Sequence, residues 1–166
     1  MHSTLFPPTR AMREDLEKRL SEDFPDLYRR KLEPNVGYPF QISCGDGWVP
    51  LLRRLSERIT QIVQNLPLEP PTSVDKSPIS KDTSLKYTGL LAKGFCADVV
   101  KERLGELRFF MNQSTKEIDL VIQDAQEESL TTCGMCGRPG NVRDKVWYFV
   151  ACDGHHMPEG AIKFSV

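Results

Sequence analysis

The chain has 166 residues, of which 39% are hydrophobic, and its formal net charge at pH 7 is −1. This length and composition fit one compact domain with a sufficient core of its own, or one domain with a small appended module. The near-neutral charge excludes a protein that attracts nucleic acid through a strongly basic overall field. No run of about 18 apolar residues occurs, so the sequence predicts no membrane-spanning helix.

The N-terminal segment MHSTLFPPTRAMRED becomes charged before an apolar stretch can form, so no signal peptide is predicted. We therefore expect a cytosolic, reducing compartment. There the five cysteines would serve as thiols or metal ligands rather than as disulfide partners, and their odd number supports this expectation.

Two helices are predicted in the N-terminal half. The first covers 10–22, with Thr9 as its cap and apolar residues every fourth position. The second covers 47–65 and has the clearest apolar stripe in the sequence. Asp46 is its candidate N-cap, and Pro50 falls in the first turn, where a missing N–H is tolerated.

The strand predictions rest on short β-prone stretches. VVKER and ELRFFM are joined around Gly105 and predict a hairpin or one bulged strand. An extended stretch is expected near 38–43, and KVWYFVAC alternates well enough to be a strand that ends on Cys152.

A third helix is predicted over 114–130, where Ser114 and Glu117 form a capping box. Together these elements predict an α+β fold, with the second and third helices packed on a small antiparallel sheet. A zinc ribbon or zinc knuckle is expected at its C-terminal end.

Composition divides the chain into three segments. The N-terminal helical segment, residues 1–66, is followed by 67–86, which is rich in proline, serine and charge and is predicted to be a flexible linker or loop. Residues 87–166 form the α+β segment that carries the cysteine motif. We expect the two outer segments to pack as one domain.

The C-terminal cysteines occur in two matched pairs of metal-binding type. Cys133 and Cys136 form a CxxC hook, and Cys152 and His155 form a second hook fifteen residues later. This spacing is typical of a tetrahedral structural zinc site of Cys₃His type, which leaves no coordination position for a substrate. His155 preserves the two-residue spacing, and His156 is the alternative fourth ligand.

Other interpretations of the cysteines compete with zinc. A redox CxxC would not explain the second hook, and chance placement of four such residues is a minority interpretation. Cys44 and Cys96 lie outside the motif and are expected to be small buried apolar residues. Trp48 and Trp147 are expected in the core.

Four sequence pieces carry a family resemblance: FPDLY, CGDGWVPLLRRL, VKERLGELRFF and the ending CGMCGRPG…CDGHH. Their order and spacing resemble a family of small uncharacterised bacterial and phage-borne (prophage) proteins. The resemblance implies Zn²⁺ bound by Cys133, Cys136, Cys152 and His155, and a phage setting within the bacterial host cytosol. It implies no activity.

We compare three functional hypotheses. The favoured one is a non-enzymatic, zinc-stabilised protein that binds and inhibits a host protein, such as a component of bacterial defence. A nucleic-acid-binding zinc protein is the first alternative, although residues 95–166 contain eight Lys/Arg against eleven Asp/Glu. The second alternative is an HNH-like nuclease, for which His156 would be the histidine left for catalysis. The candidate interaction residues are Arg108, Arg138, Arg143 and Lys145.

Overall fold

A computed structural model of the chain describes residues 12–29, 40–67, 94–143 and 148–155. Within these ranges the α-helices are α1 (Glu14–Asp23), α2 (Val49–Asn65) and α3 (Lys116–Ser129). The strands are β1 (Ile42–Ser43), β2 (Ala97–Arg103), β3 (Glu106–Met111), β4 (Asn141–Arg143) and β5 (Phe149–Ala151). Single 3₁₀ turns cover Asp46–Trp48 and Asp153–His155. None of the helices in these ranges combines the length and apolar character that crossing a bilayer requires.

The α+β class is confirmed, with a small mixed sheet beside the helices. β2 and β3 form the predicted hairpin, with a register irregularity near Ala97. The sheet is not wholly antiparallel, because the two-residue strand β1 pairs with β2 in parallel. β4 and β5 form a separate two-stranded antiparallel sheet, and residues 145–147 of the predicted last strand lie outside the described residues.

The predicted start of the second helix, at residue 47, is two residues too early. Asp46 opens a 3₁₀ turn, and α2 begins after it at Val49 without a side-chain cap. The Asp46 carboxylate instead accepts a hydrogen bond from the Arg13 backbone N–H at 2.8 Å and pairs with the Arg13 guanidinium at 3.0 Å. It therefore connects α1 to α2 rather than capping its own helix.

The other two helix starts also differ from prediction. α1 begins at Glu14, after Arg13, so the predicted start at residue 10 is wrong, and Thr9 lies outside the described residues. The N-cap of α3 is Thr115 rather than Ser114, because the Thr115 hydroxyl accepts the Ile118 N–H at 3.2 Å. The Ser114 hydroxyl donates to Asp119 instead.

One hydrophobic core joins elements from both sides of the predicted linker. It contains residues of α1, α2, the β2–β3 hairpin and α3, with Trp48, Leu52 and Phe109 among the large buried side chains. Described residues before and after the predicted linker therefore contribute to the same core. Residues 68–93, which include most of the predicted linker, lie outside the described residues.

Two surface ion pairs show the relative direction of α2 and α3. Arg54 pairs with Glu128, and Arg58 pairs with Asp124 at 3.0 Å, so α2 and α3 are antiparallel. Because all four side chains are largely exposed, each pair contributes little to the free energy of unfolding, about 0–1 kcal/mol. The apolar faces of the helices supply most of the stability.

A buried hydroxyl pair connects the 25–28 turn to α2. The Tyr28 hydroxyl and Ser56 Oγ lie 2.8 Å apart, and Ser56 Oγ also donates to the Leu52 carbonyl at 2.7 Å. Tyr28 therefore supplies the proton to Ser56. Burial raises the pKa of Tyr28 above its usual range, so it remains a hydroxyl.

We expect Ser56→Ala to destabilise the protein more than Tyr28→Phe does. Tyr28→Phe leaves Ser56 bonded to Leu52 and should cost about 1 kcal/mol. Ser56→Ala leaves the buried Tyr28 hydroxyl without this acceptor and should cost about 1–3 kcal/mol. Urea unfolding of both single variants and the double variant measures the difference, and the reverse order would contradict the assigned donor.

Candidate metal centre

A tight turn brings the first two candidate ligands together. The Cys133 N–H donates to the Arg138 carbonyl and the Gly137 N–H donates to the Cys133 carbonyl, both at 2.8 Å. Gly137 has a φ of 75°, a left-handed conformation that glycine adopts without strain. The closed turn directs Cys133 and Cys136 to the same side.

The second pair of ligands comes from the end of β5. Cys152 follows this strand, and the 3₁₀ turn Asp153–His155 folds back so that the His155 N–H donates to the Cys152 carbonyl at 3.0 Å. A hydrogen bond of 3.0 Å from the Gly134 N–H to the Val150 carbonyl holds the two halves together. We call the described residues 131–143 and 148–155 the C-terminal module.

The four predicted ligand atoms converge on one point. Those of Cys133, Cys136, Cys152 and His155 all lie within 4.8 Å of one another. Cys136 Sγ and Cys152 Sγ are 3.7 Å apart, and His155 Nδ1 lies 3.5 Å from Cys133 Sγ and 3.3 Å from Cys152 Sγ. The cluster is geometrically compatible with a metal ion, and His156 lies outside the described residues.

The thiols of the cluster lie in different electrostatic environments. Arg138 Nε donates to Cys136 Sγ at 3.4 Å, and this charged hydrogen bond lowers the pKa of the Cys136 thiol to about 6. Burial raises the pKa of Cys133, although backbone N–H groups directed at its sulfur partly offset that effect. Metal binding at Cys133 therefore has to displace a proton.

The C-terminal module is docked on the segment that leads into α2. The Gly47 N–H donates to the Gly134 carbonyl at 2.9 Å, and Trp48 Nε1 donates to the Thr132 carbonyl at 2.9 Å. A side chain at Gly45 would place its Cβ 2.0 Å from the Gly134 oxygen. The glycines therefore permit direct contact between the two backbones.

A small cleft lies between the C-terminal module and the sheet. Its empty volume is about 380 Å³, and its walls are Gly45, Trp48, Gly134, Met135, Phe149 and Val150, with Glu102 as its charged residue. Glu102 Oε1 accepts the Gly105 N–H at 3.0 Å. Burial raises the pKa of the Glu102 carboxyl above its usual range.

The three candidate interaction residues that the structure describes have partners within the chain. Arg138 is bonded to Cys136, and Arg143 pairs with Asp153 at 2.7 Å and donates to the Ala151 carbonyl. Arg108 pairs with Glu106 at 2.8 Å on the outward face of β3. Lys145 lies outside the described residues.

The remaining cysteines and tryptophans agree with the expectation of buried core residues where they are described. Cys44 and Cys96 are buried, and burial raises the pKa of Cys44 to about 12, so this thiol is a poor nucleophile. Trp48 is buried in the core as expected. Trp147 lies outside the described residues.

The sequence analysis missed the groups that dock the module. Gly45, Gly47 and the Thr132 carbonyl make these contacts. The glycine–acid–glycine run immediately before the strongest helix was the available signal, since two glycines so close together often allow another backbone to approach.

The fold and the cluster define a class: an α+β protein with a C-terminal Cys₃His cluster of metal-binding geometry. Comparison with protein-family models, with curated proteins and with solved structures found no significant match to this chain. The resemblance to phage-borne proteins therefore stays a prediction.

Proposed function

We propose that this chain is a non-enzymatic protein–protein interaction protein whose contact surface is held in place by a structural zinc ion. The donor set supports zinc, because three sulfurs and one imidazole suit this ion. Zinc–sulfur bonds of about 2.3 Å in a tetrahedron place sulfurs about 3.8 Å apart. The 3.7 Å between Cys136 Sγ and Cys152 Sγ fits that value.

A structural role for the ion follows from the number of donors. Four protein ligands fill a tetrahedral shell, whereas catalytic zinc sites have three protein ligands and an open position for water or substrate. The ion would connect the turn at Cys133 to the end of β5, and the glycine contacts would transmit this constraint to α2. Zinc would thus fix one face of the protein.

The observation that carries the proposal is the backbone of Leu104. This residue is 59% exposed and has a φ of 56°, and Gly105 follows with a φ of 80°. Positive φ at both central residues of a two-residue hairpin turn favours Asn-Gly, and left-handed backbone costs a leucine about 1 kcal/mol or more. An exposed leucine in a strained position gains nothing from folding, which points to a contact outside the chain.

Two more exposed apolar side chains surround the same point. A Cβ on Gly105 would lie 3.4 Å from Val150 Cγ2, so the turn lies against β5. Val142 is paired with Val150, so its side chain lies on the face of Val150, and Tyr148 immediately precedes β5. They are 45% and 53% exposed. We call Leu104, Val142 and Tyr148 the contact surface.

The cations beside the cluster favour a protein partner over nucleic acid. Duplex binding requires arginines and lysines that are available to neutralise phosphates. Arg138 and Arg143 are instead bonded to Cys136 and Asp153. A surface of one leucine, one valine and one tyrosine resembles the apolar core of a protein interface. The partner class suggested by the family resemblance is a host protein, including one that acts in bacterial defence.

Leu104→Asn tests the proposed interaction with opposite expected effects on stability and binding. Asparagine tolerates the left-handed backbone, so we expect the free energy of unfolding to rise by about 0.5–1 kcal/mol. Loss of the apolar side chain should weaken the complex at least about tenfold. Affinity capture from bacterial lysate identifies the partner, and titration with the purified partner measures affinity.

Leu120→Asn is the matched control, because Leu120 is 61% exposed but lies on α3. It should leave partner affinity unchanged. If Leu104→Asn binds every captured protein as tightly as the wild type and Leu120→Asn do, the proposed contact surface is wrong.

Thiol titration tests the zinc component of the proposal. With zinc bound, we expect no cysteine to react readily with an aromatic disulfide reagent. A strong chelator should expose Cys133, Cys136 and Cys152, while Cys44 and Cys96 stay buried and react after denaturant is added. Absence of zinc from the purified protein, with all five thiols reactive in the native state, would refute this component.

A further inference from the structure

We propose that the cleft between the C-terminal module and the sheet binds an arginine side chain presented by the partner protein. This inference rests on the proposed function and names the chemistry of the partner. It is carried by three properties of the cleft: its charge, its walls and its size.

The charge in the cleft comes from Glu102. Its carboxylate is half-buried, one oxygen accepts the Gly105 N–H, and no arginine or lysine among the described residues pairs with it. A carboxylate in such a position is penalised by desolvation unless a cation lies beside it. The side chain that would relieve this penalty is basic.

The walls favour a cation with a long apolar stem and a planar head. Phe149 contributes aromatic surface and Met135 contributes aliphatic surface, while the buried side chains of Trp48 and Val150 close the apolar floor. Arginine buries its methylene stem on apolar walls and stacks its guanidinium on aromatic rings, whereas the lysine ammonium is more strongly hydrated. Arginine is therefore the better fit.

The size favours one side chain over a small-molecule ligand. The cleft is small and partly open to solvent, so it suits the end of one side chain better than a drug-sized ligand. A buried side chain at the centre of an apolar rim is typical of the anchor residues of protein interfaces. The exposed side chains of Leu104 and Tyr148 belong to the same region, because Gly105 lies against Val150 and Tyr148 precedes Phe149 in the chain.

The probe is the peptide Ac-Gly-Arg-Gly-NH₂, added to the zinc-loaded, ¹⁵N-labelled full chain. We expect saturable shifts of the Trp48 indole and the Met135 amide, with a dissociation constant on the order of 1 mM. The citrulline peptide has the same shape without the charge and should bind at least about tenfold more weakly. Glu102→Gln should weaken the arginine peptide to the same extent.

Glu102→Gln is nearly isosteric and can still accept the Gly105 N–H, so it should fold. Glu106→Gln is the matched control, because Glu106 lies on the outward face of the hairpin and is paired with Arg108. It should not change peptide affinity. Equal binding of the arginine and citrulline peptides, no binding of either, or full affinity in Glu102→Gln would each overturn the inference.

The two proposals can fail separately. If partner affinity requires Leu104 while the arginine peptide does not bind, the contact surface stands and the arginine cleft is wrong. If the peptide binds through Glu102 while Leu104→Asn leaves partner affinity unchanged, the arginine cleft stands and the proposed contact surface is wrong.

Discussion

Cys133→Ser is expected to abolish tight zinc binding and to unfold the C-terminal module while the α+β core remains folded. The module cannot be held together by apolar burial, because its own cluster consists of Cys133, Ala151 and Cys152, with Met135 and Phe149 packed beside them. In such small modules the free energy of zinc binding, about 10–16 kcal/mol for zinc-finger peptides, is also the free energy of folding. Removing a fully buried ligand at its centre should therefore release the C-terminal module as a unit.

Hydrogen exchange measures this outcome directly. Amides of β5 should lose their protection in Cys133→Ser, whereas amides of α2 away from its first turn should keep theirs. The loss of the 2.9 Å bond from Trp48 Nε1 to the Thr132 carbonyl should also shift the Trp48 indole resonance. Cys96→Ala is the control, since this equally buried cysteine lies outside the cluster and should retain one equivalent of zinc. Protected β5 amides in Cys133→Ser would contradict a structural role for the metal.

The features of the site that could be predicted from the sequence are those that depend on nearby residues in the chain. Ligand types and spacing are local properties of the sequence. CxxC followed by CxxH therefore predicts a metal site of Cys133, Cys136, Cys152 and His155, with His156 as the alternative fourth ligand. The long apolar stripe of α2 is local as well, so the buried face and the C-terminal end of this helix are predicted correctly, whereas its start is not.

The predicted helix caps are wrong where the capping side chain has a different partner. Asp46 and Ser114 have capping side chains at suitable positions, yet Asp46 is paired with Arg13 and Ser114 with Asp119. Thr115 then caps α3 instead. A capping rule considers neighbours in sequence, and the competing partner of Asp46 lies 33 residues away.

The residues of the proposed contact surface and of the arginine cleft could not be predicted from sequence patterns. Leu104 and Gly105 look like an ordinary hairpin junction until the positive φ at Leu104 is known. Glu102 looks like one of many charged strand residues until β5 and the C-terminal module are seen beside it. The surroundings of Glu102 depend on how the module docks, which is set largely by backbone contacts at Gly45 and Gly47.

The second large expected effect is that of Gly47→Ala, which adds a side chain at these backbone contacts. Helix propensity alone predicts that alanine in this 3₁₀ turn stabilises the protein, by up to about 1 kcal/mol. The structure predicts the opposite. A Cβ at Gly47 would lie 2.3 Å from the Cys133 oxygen, 2.5 Å from the Gly137 nitrogen and 2.6 Å from the Cys136 nitrogen. These are backbone atoms of the ligand turn and cannot rotate away.

We therefore expect Gly47→Ala to lower the free energy of unfolding by about 2–3 kcal/mol, as for an overpacked core site, and to weaken zinc binding at the same time. Zinc affinity should fall because docking and binding share the turn at Cys133–Gly137, so strain introduced by docking also opposes binding. Chelator competition measures the affinity, and thermal unfolding of the zinc-loaded protein measures the stability.

Gly134→Ala is the matched control for this substitution. Gly134 lies on the opposite side of the same contact and its carbonyl accepts the Gly47 N–H, but among the described residues a Cβ there would meet only the Val150 oxygen, at an ordinary 3.8 Å. Gly134→Ala should stay within about 0.5 kcal/mol of the wild type and keep its zinc affinity. If the two alanine variants behave alike, the close approach of Gly47 to the ligand turn does not hold the module, and zinc alone would have to position it.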